Sequence, residues 1–276
     1  MLLLICDYAQ IEARVLAWYA GQQDLLNDFA AGKDIYAKFA TMLYQTPIRK
    51  SKDTDSKQVY NYMKIRRGFG KDAILGLGYG MGANTFYENC QENSDLKNKF
   101  DFQFIKEAVN TYRTVYNNIP KFWSNIESYF RMVVKYSHLT EQGCKLKFSN
   151  NGKGCINLTL PNGRVLFYPH STIIKETVNH KQNVLAYKYS KLWGGTLTEN
   201  VVQATSRDIM AESILRLEAN GIKVIMHSHD EIISCIPNNE AQSKLKKMIE
   251  LMCIVPTWAT DLPINVEGEI SEYYKI

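Results

Sequence analysis

The stretch that decides the fold class is residues 222–236, which read IKVIMHSHDEIISCI. Two β-rich arms, Ile222–Met226 and Ile232–Ile236, flank a short polar segment and predict a β-hairpin. Asp230 and Glu231 then lie at its tight turn, between apolar strand residues rather than in a polar loop. Acidic turns are common on solvated surfaces, and taken alone the hairpin needs no other explanation. Half-buried carboxylates in this position, however, indicate a site for cations.

A second apolar strand opens the chain and ends on a carboxylate. Leu2–Cys6 is followed by Asp7, and apolar residues at helical spacing predict a helix over Ile11–Ala20. Taken alone, Asp7 is more simply explained as a helix cap. If Asp7 and Asp230 end neighbouring strands, their like charges are tolerable only with a cation between them, and such oxygen ligands suit Mg²⁺ or Mn²⁺. The pair then predicts a two-metal site for phosphoryl transfer.

A third segment, residues 66–80, reads RRGFGKDAILGLGYG and combines basic residues with glycines. It is not a Walker A loop, because neither Ser nor Thr follows the lysine. Arg67, Lys71, Leu75 and Tyr79 recur every four residues, so on a helix they form one face that is charged at its start and aromatic at its end. The charged part suits phosphate and the ring suits a nucleobase. An amphipathic helix with its cations in water is the alternative.

The glycines of this segment are costly in a helix. Each destabilises a helix by about 1 kcal/mol relative to alanine, so scaffolding alone does not explain them. Close approach of another chain or a ligand explains them, and so does a packing contact; the residues concerned are Gly68, Gly70, Gly76 and Gly78.

Composition limits the possible classes of protein. The 276 residues are 45% apolar, which is enough for a core and indicates about two domains. A collagenous or disordered chain is excluded, and the absence of a leader or long apolar run predicts a cytoplasmic protein without a membrane partner. The net charge is +5, yet residues 45–71 hold eight basic and two acidic side chains. A triphosphate, a nucleic acid or simply water would suit this stretch.

Hydrophobic periodicity outlines the organisation of the chain. It predicts the helices Ile11–Ala20, Asp34–Tyr44, Tyr60–Tyr79, Phe102–Tyr116, Phe122–Tyr136, Asn200–Ala219 and Ala241–Met252. Further strands are predicted at Ile156–Leu160 and Arg164–Tyr168. We expect the two ends of the chain to share one mixed sheet, with a helical middle as a separate lobe and a cleft between them. The six cysteines have no Cys-x-x-Cys pair, and Cys144 and Cys155 near His138 lack a fourth metal ligand.

The order of these segments resembles the DNA polymerase I family, or family A, and most closely its bacteriophage members. Asp7 to Arg14 matches motif A, Arg67 to Gly80 matches motif B, and the run from His229 to Glu231 matches motif C. The resemblance covers nearly the whole chain. Supporting matches are Asp34-Ile35-Tyr36, the Tyr112 to Trp123 region, Leu160-Pro161-Asn162-Gly163-Arg164, and Gln203-Ala204-Thr205 with Asp208.

The resemblance implies a role for each catalytic position. Asp7 and Asp230 would hold two Mg²⁺ ions, with Mn²⁺ as an alternative, and the backbone carbonyl of Tyr8 would be a further ligand. Glu231 would be an auxiliary acid. Lys71 would act in catalysis and, with Arg67, grip the incoming dNTP triphosphate.

Other positions would contact nucleotide or DNA. Tyr79 would lie near the nascent base pair, Gln10 would belong to the substrate site, and Glu12 would exclude a ribose 2′-hydroxyl. The primer-template contacts would be Gln203, His229 and Arg164. Leu75 stands where familiar relatives carry Phe or Tyr, and we therefore expect strong rejection of dideoxynucleotides.

The resemblance also implies an α+β architecture with a mainly antiparallel palm sheet and a helical fingers subdomain. The palm would comprise residues 1–33 and 173–276, and the fingers residues 34–172. We expect the thumb and the N-terminal exonuclease to lie outside this chain, in a separate N-terminal polypeptide, so that the chain alone has weak or absent activity. A phage-encoded chain would work in the cytoplasm of the bacterial host.

Two alternatives remain at this stage. A single-subunit RNA polymerase shares the paired aspartates and the helix lysine and tyrosine, but Glu12 and Glu231 favour DNA synthesis. A non-catalytic nucleic-acid-binding remnant of a truncated polymerase is the second, against which the intact Asp7, Lys71 and Asp230 argue.

Overall fold

The computed structural model describes residues 1–136, 139–150, 152–175, 183–188 and 190–274, and His138 lies outside these ranges. The chain divides into two compact units. Residues 1–15 and 201–276 form one, which we call the terminal unit, and residues 16–200 form the other, the central unit.

Helices and strands alternate irregularly along the described chain. The helices are α1 Ile11–Ala20, α2 Gln23–Ala30, α3 Ile35–Tyr44, α4 Lys57–Leu77, α5 Ala83–Glu92, α6 Phe102–Val115, α7 Asn118–Lys135, α8 Gly194–Ala219 and α9 Ala241–Met252. The strands are β1 Leu2–Tyr8, β2 Thr140–Gly143, β3 Leu146–Asn150, β4 Cys155–Thr159, β5 Val165–Pro169, β6 Thr172–Ile174, β7 Val184–Tyr187, β8 Ser190–Leu192, β9 Val224–Ser228, β10 Glu231–Ile236 and β11 Val266–Ser271.

The terminal unit is built on a four-stranded sheet in the order β11-β1-β10-β9. Every strand pair in it is antiparallel, so the sheet is not mixed as the sequence had suggested, whereas the predicted α+β class with a mainly antiparallel sheet is confirmed. β1 has a strand on each side, and nearly all its residues are apolar, as is typical of an interior strand. The two ends of the chain therefore complete one sheet.

One face of this sheet is covered by helices. Leu4, Cys6 and Tyr8 alternate along β1 and are almost fully buried. The Tyr8 hydroxyl donates to Oγ of Ser213 on α8 at 2.5 Å and reaches the carbonyl of Met252 on α9 at 3.3 Å. Because alternate residues of a strand point to opposite faces, Asp7 lies on the other side, away from this core.

The predicted hairpin is present as β9 and β10. Glu231 pairs with Ser228, which leaves His229 and Asp230 as the two turn residues. His229 has a φ of 49°, in the left-handed region that tight turns often require. The turn therefore holds Asp230 at the exact end of the strand that neighbours β1.

The central unit contains a close helix pair, α3 and α4. A Cβ at Gly70 would lie 2.3 Å from the carbonyl oxygen of Tyr36, so only glycine permits this approach. Gly78 is similarly confined by Leu16 at 2.7 Å. Gly68, in contrast, has nothing within 4 Å. Packing thus explains two glycines of the segment and leaves Gly68 facing open space.

The central unit contains strands beyond the two predicted at Ile156–Leu160 and Arg164–Tyr168, which are present as β4 and β5. It holds a four-stranded sheet β2-β3-β4-β5 and a three-stranded sheet β6-β7-β8, both antiparallel. Its helices pack around aromatic side chains: the Phe69 ring centroid lies 5.4 Å from that of Phe86 and 4.6 Å from that of Phe100. All six cysteines are free thiols. Within the ranges given above, no helix combines the length and apolar character needed to cross a membrane.

Candidate active site

Three carboxylates lie in a row across the sheet of the terminal unit. Asp7 on β1 is directly opposite Glu231 on β10 and Glu267 on β11. Directly opposite residues of antiparallel strands project to the same face, with Cβ atoms about 5 Å apart. The Tyr8 amide donates to the Asp230 carbonyl at 3.2 Å, which fixes the end of β1 against the hairpin turn. The structure therefore brings Asp7 next to both acids of the hairpin.

The surroundings of Asp7 disfavour its ionised form. Burial and the negative charges of Asp230, Glu267 and Glu231 raise the pKa of Asp7 to about 6. Its principal charged neighbours are thus all acidic. A cation at this position would relieve their repulsion.

The donor set is compatible with a hard divalent cation. Mg²⁺ in enzymes is commonly held by one or two carboxylates together with water and substrate phosphates. Asp7 and Asp230 supply such carboxylates, and Tyr8 has a backbone carbonyl at the same strand end. Within the part of the chain that the structure describes, no group of three or more His, Cys, Asp or Glu side chains is arranged to hold a metal ion.

The side chain of Glu231 is held in place by a residue that the sequence analysis did not identify. The hydroxyl of Tyr274 donates to Oε2 of Glu231 at 2.8 Å. Glu267 and Tyr274 were both missed: residues 266–271 read VEGEIS and do alternate, but a glycine and two glutamates among them give a weak strand signal. The pairing of β11 with β1 becomes visible only in the folded sheet.

The turn after β1 positions the other motif A residues. Gln10 adopts a φ of 56° and accepts a hydrogen bond from the Arg14 amide through its carbonyl. Arg14 is buried, and its Nε donates to the Ala9 carbonyl at 2.7 Å. Arg14 therefore stabilises the strand-to-helix connection. Glu12 is half-buried in the first turn of α1, and Tyr8 is enclosed in the core.

The central unit carries the basic helix residues on α4. Lys71 is exposed, and Leu75 is half-buried one turn later. Arg67 is engaged: its Nε donates to Oδ2 of Asp34 at 2.5 Å. Tyr79 lies just after α4, which ends at Leu77 rather than at the predicted Tyr79.

Tyr79 borders a large cavity within the central unit. The cavity has a volume of about 980 Å³, and its wall includes Trp193, Arg131 and Lys191. The Gly80 backbone, with a φ of 81°, permits Trp193 to pack closely, since a Cβ at Gly80 would lie 2.3 Å from the Trp193 ring. An aromatic, partly cationic cavity of this size has room for a nucleobase.

The three DNA-contact candidates occupy different places. Gln203 on α8 and His229 in the hairpin turn are exposed residues of the terminal unit, whereas Arg164 is exposed in the β4–β5 turn of the central unit. Sequence reasoning missed Arg207, whose guanidinium lies 3.3 Å from the ring of His227. Arg207 is four residues after Gln203 on α8, a spacing that places both on one helix face.

The terminal unit has an antiparallel sheet with adjacent carboxylates, and the central unit has a basic helix. Nucleic-acid polymerases combine these two features. The chain belongs to DNA polymerase family A, whose sequence profile matches residues 1–275. It is 30% identical to the DNA polymerase of Bacillus phage SP02, over 98% of this chain and 41% of that protein. It is 24% identical to the thermostable DNA polymerase I of Thermus aquaticus, over 98% of this chain and 27% of that protein.

A solved structure has the same fold. The POL domain of Pol1 from M. smegmatis, in complex with DNA primer-template and dNTP, aligns with a TM-score of 0.64 and 16% identity. The alignment covers 99% of this chain and 40% of that one. The chain therefore spans less than half the length of each of these relatives.

Proposed function

We propose that this chain is the catalytic portion of a DNA-directed DNA polymerase that transfers nucleotides from dNTPs to a primer 3′-hydroxyl. The observation that carries the proposal is the placement of Asp7 opposite Glu231 and beside the Asp230 turn, in a chain of family A. Four acidic groups share this strand end, and burial together with the negative charges of the other three raises the pKa of Asp7 to about 6.

Asp7, Asp230 and the Tyr8 carbonyl are proposed to hold two Mg²⁺ ions, or Mn²⁺ in their place. When bound there, such ions would supply Lewis-acid chemistry, lowering the pKa of the attacking hydroxyl and neutralising charge on the leaving pyrophosphate. The chain's own residues orient the reactants. Glu231 supports the carboxylate pair as an auxiliary acid, and Lys71 and Arg67 neutralise the triphosphate.

The remaining site residues are proposed to select and hold substrate. Tyr79 stacks near the nascent base pair, while Gln10 and Leu75 line the nucleotide site. Glu12 excludes a ribose 2′-hydroxyl, so dNTPs are favoured over rNTPs. A further group binds the primer-template: Gln203, His229 and Arg164.

We also propose that efficient synthesis depends on sequence equivalent to the parts of the longer relatives that this chain does not match. Those parts would include the thumb, which grips the duplex, and such grip determines affinity and its dependence on salt. In this scheme the palm comprises residues 1–33 and 173–276, and the fingers residues 34–172. The partner would be an N-terminal polymerase polypeptide acting in the same cytoplasm.

Primer extension tests the proposal. The full chain is assayed with Mg²⁺, dNTPs and primer-template, with and without a candidate N-terminal polypeptide. We expect little extension by the chain alone and robust extension with the partner. Asp230→Ala should abolish extension and leave DNA binding within about twofold, because one ligand carboxylate is removed far from most of the phosphate contacts. Extension by this variant would exclude the metal assignment.

The same assay separates the alternative functions. Wild-type chain that binds primer-template but never extends it, with any partner, would identify a non-catalytic remnant. Preferential use of rNTPs would identify an RNA polymerase instead. Glu12→Ala is the matched variant for sugar selection, and we expect it to increase rNTP incorporation while dNTP incorporation falls less.

A further inference from the structure

Arg67 is anchored in an unusual way on α4. Its Nε donates to Oδ2 of Asp34 at 2.5 Å, and its guanidinium carbon lies 5.4 Å from the centroid of the buried Tyr36 ring. The two terminal nitrogens of Arg67 have no hydrogen-bond partner among the described residues. One edge and one face of the guanidinium are thus restrained, while the donor pair of the outer edge is available.

Asp34 is itself fixed by the backbone. It is the N-cap of α3, and its Oδ1 accepts a hydrogen bond from the Ala37 amide at 3.0 Å. The two carboxylate oxygens therefore have separate tasks: one caps α3 and the other holds Arg67. Capping side chains are rotationally restricted, which makes the second oxygen a rigid acceptor.

The contact between α3 and α4 next to Asp34 and Arg67 fixes the distance between these two residues. Gly70 is three residues after Arg67 and lies on the same side of α4. The 2.3 Å that would separate a Gly70 Cβ from the Tyr36 carbonyl shows backbone-to-backbone contact in the first turn of α3. Asp34 immediately precedes that turn. The absent side chain at Gly70 thus brings the cap of α3 within reach of Arg67.

The neighbouring Arg66 has a different environment from that of Arg67. The guanidinium carbon of Arg66 lies 3.6 Å from the Tyr62 centroid and 5.0 Å from that of Tyr44. Its Nε is buried and makes no hydrogen bond in the described part of the chain. Arg66 is therefore enclosed between rings, whereas Arg67 presents donors outward.

We propose that Asp34 is a positioning residue that orients the Arg67 guanidinium so that its two terminal nitrogens bind a polyphosphate in bidentate fashion. Guanidinium and phosphate match in this fork geometry, and prior restraint of the side chain reduces the entropy lost on binding. The inference rests on the proposed function in that it takes the ligand to be the triphosphate of an incoming nucleotide.

Binding of dATP, of inorganic tripolyphosphate and of deoxyadenosine to the full chain tests the proposal by calorimetry. Asp34→Ser retains a capping hydroxyl but is too short to reach Arg67. We expect it to weaken dATP and tripolyphosphate binding about tenfold and leave deoxyadenosine unaffected, since a charge-assisted hydrogen bond is lost. Asp101→Ser is the matched control, because Asp101 caps α6 through the Phe104 amide and has no arginine partner in the described structure.

A double-mutant cycle with Arg67→Ala distinguishes positioning from a general structural effect. If Asp34 acts through Arg67, Asp34→Ser adds no further loss in the Arg67→Ala background. Additive losses, unchanged binding or tighter binding in Asp34→Ser would each overturn the proposal; tighter binding would show that Asp34 competes with phosphate for Arg67. If Arg67→Ala itself leaves dATP binding unchanged, the assigned role of Arg67 in the proposed function fails instead.

Discussion

The hydroxyl of Tyr274, three residues beyond the last strand, donates a hydrogen bond to Oε2 of Glu231 at 2.8 Å and so connects the end of the described chain to the acidic hairpin. Both side chains are half-buried. Tyr274→Phe removes the donor and leaves the ring in place. We expect a loss of about 1 kcal/mol in the free energy of unfolding, the usual contribution of such a bond.

Urea denaturation of the single and double variants checks this expectation. Tyr274→Phe should cost nothing further in the Glu231→Ala background, which lacks the acceptor, if the hydroxyl acts on that carboxylate alone. Tyr136→Phe, at an exposed tyrosine of the central unit, is the control and should be neutral. Equal losses from Tyr274→Phe in both backgrounds would contradict this assignment.

Asp7 makes stability depend on pH. Its pKa is raised to about 6, so the folded chain binds this proton more tightly than the unfolded chain does. The resulting stabilisation is complete below about pH 4 and is lost as the pH rises through about 6. Asp7→Asn is neutral throughout. We expect it to exceed the wild type by about 1 kcal/mol at pH 7.5, after allowance for solvent screening, and to match it near pH 4.

Denaturant unfolding at several pH values in metal-free buffer measures this difference. Asp53→Asn, at an exposed loop position, should show no pH-dependent gain. A variant Asp7→Asn that is less stable than the wild type at pH 7.5 would show that the carboxylates do not repel one another as described.

Divalent cations should reverse the order of stability of the wild type and Asp7→Asn at pH 7.5. A ligand that binds only the folded chain raises its melting temperature. We expect Mn²⁺ to raise the melting temperature of the wild type at pH 7.5 and to leave Asp7→Asn almost unchanged. Thermal melts with and without Mn²⁺, using Ca²⁺ for comparison, test this. An equal shift in both proteins would place the ion elsewhere.

Gly70 and Gly68 form a matched pair on α4. Gly70→Ala forces a Cβ against the Tyr36 carbonyl, and overpacking of this kind costs about 2 kcal/mol. Gly68→Ala meets nothing within 4 Å and should stabilise the helix by about 1 kcal/mol. Chemical denaturation of the two variants gives the comparison directly. Similar effects at both positions would contradict the described approach of α3 to α4.

Leu75 leads to a prediction about substrate choice. It lies on α4 one turn after Lys71 and carries no hydroxyl that would compensate for a missing 3′-hydroxyl on the nucleotide. We expect dideoxynucleotides to be incorporated at least about tenfold less efficiently than deoxynucleotides, because a hydrogen bond is left unmade. Single-nucleotide incorporation by the complete polymerase measures the ratio. Comparable incorporation of the two substrates would remove this role of Leu75.

Periodicity was sufficient for three of the helices. Ile11–Ala20 and Ala241–Met252 have the predicted bounds, and α3 differs from its prediction by one residue. The helices α2 and α5 were not predicted. In α5 only Phe86 and Cys90 are buried, and hydrophobic pattern does not detect an element that buries so little. α2 buries Leu25, Leu26 and Phe29, but its eight residues span little more than two turns, which is too short for a clear period.

α8 shows why other bounds were wrong. It begins at Gly194, six residues before the predicted start at Asn200, and its first two residues are glycines, which have a low helix propensity. Both are required by tertiary contacts: a Cβ at Gly194 would lie 2.1 Å from the Trp123 carbonyl oxygen, and one at Gly195 would lie 2.2 Å from that of Tyr79. Close approach of distant backbone segments overrides local helix propensity, and it cannot be recognised from the neighbouring sequence.

The candidate site was only partly accessible to the same reasoning. The acids of β1 and the hairpin are visible as polar residues that end apolar runs. Glu267, Tyr274 and the Asp34–Arg67 pair are not, since each depends on which strands or helices become neighbours. Strand order and helix contact are properties of the whole chain rather than of any window within it.

The central position of β1 has a consequence for biosynthesis. Its two partners, β10 and β11, are translated more than two hundred residues later, so this strand leaves the ribosome long before either exists. Residues 16–200 contain their own core and emerge in between. On a nascent chain the interior segment can therefore fold before β1 has its partners, which leaves an apolar strand open to mispairing until β10 and β11 are made.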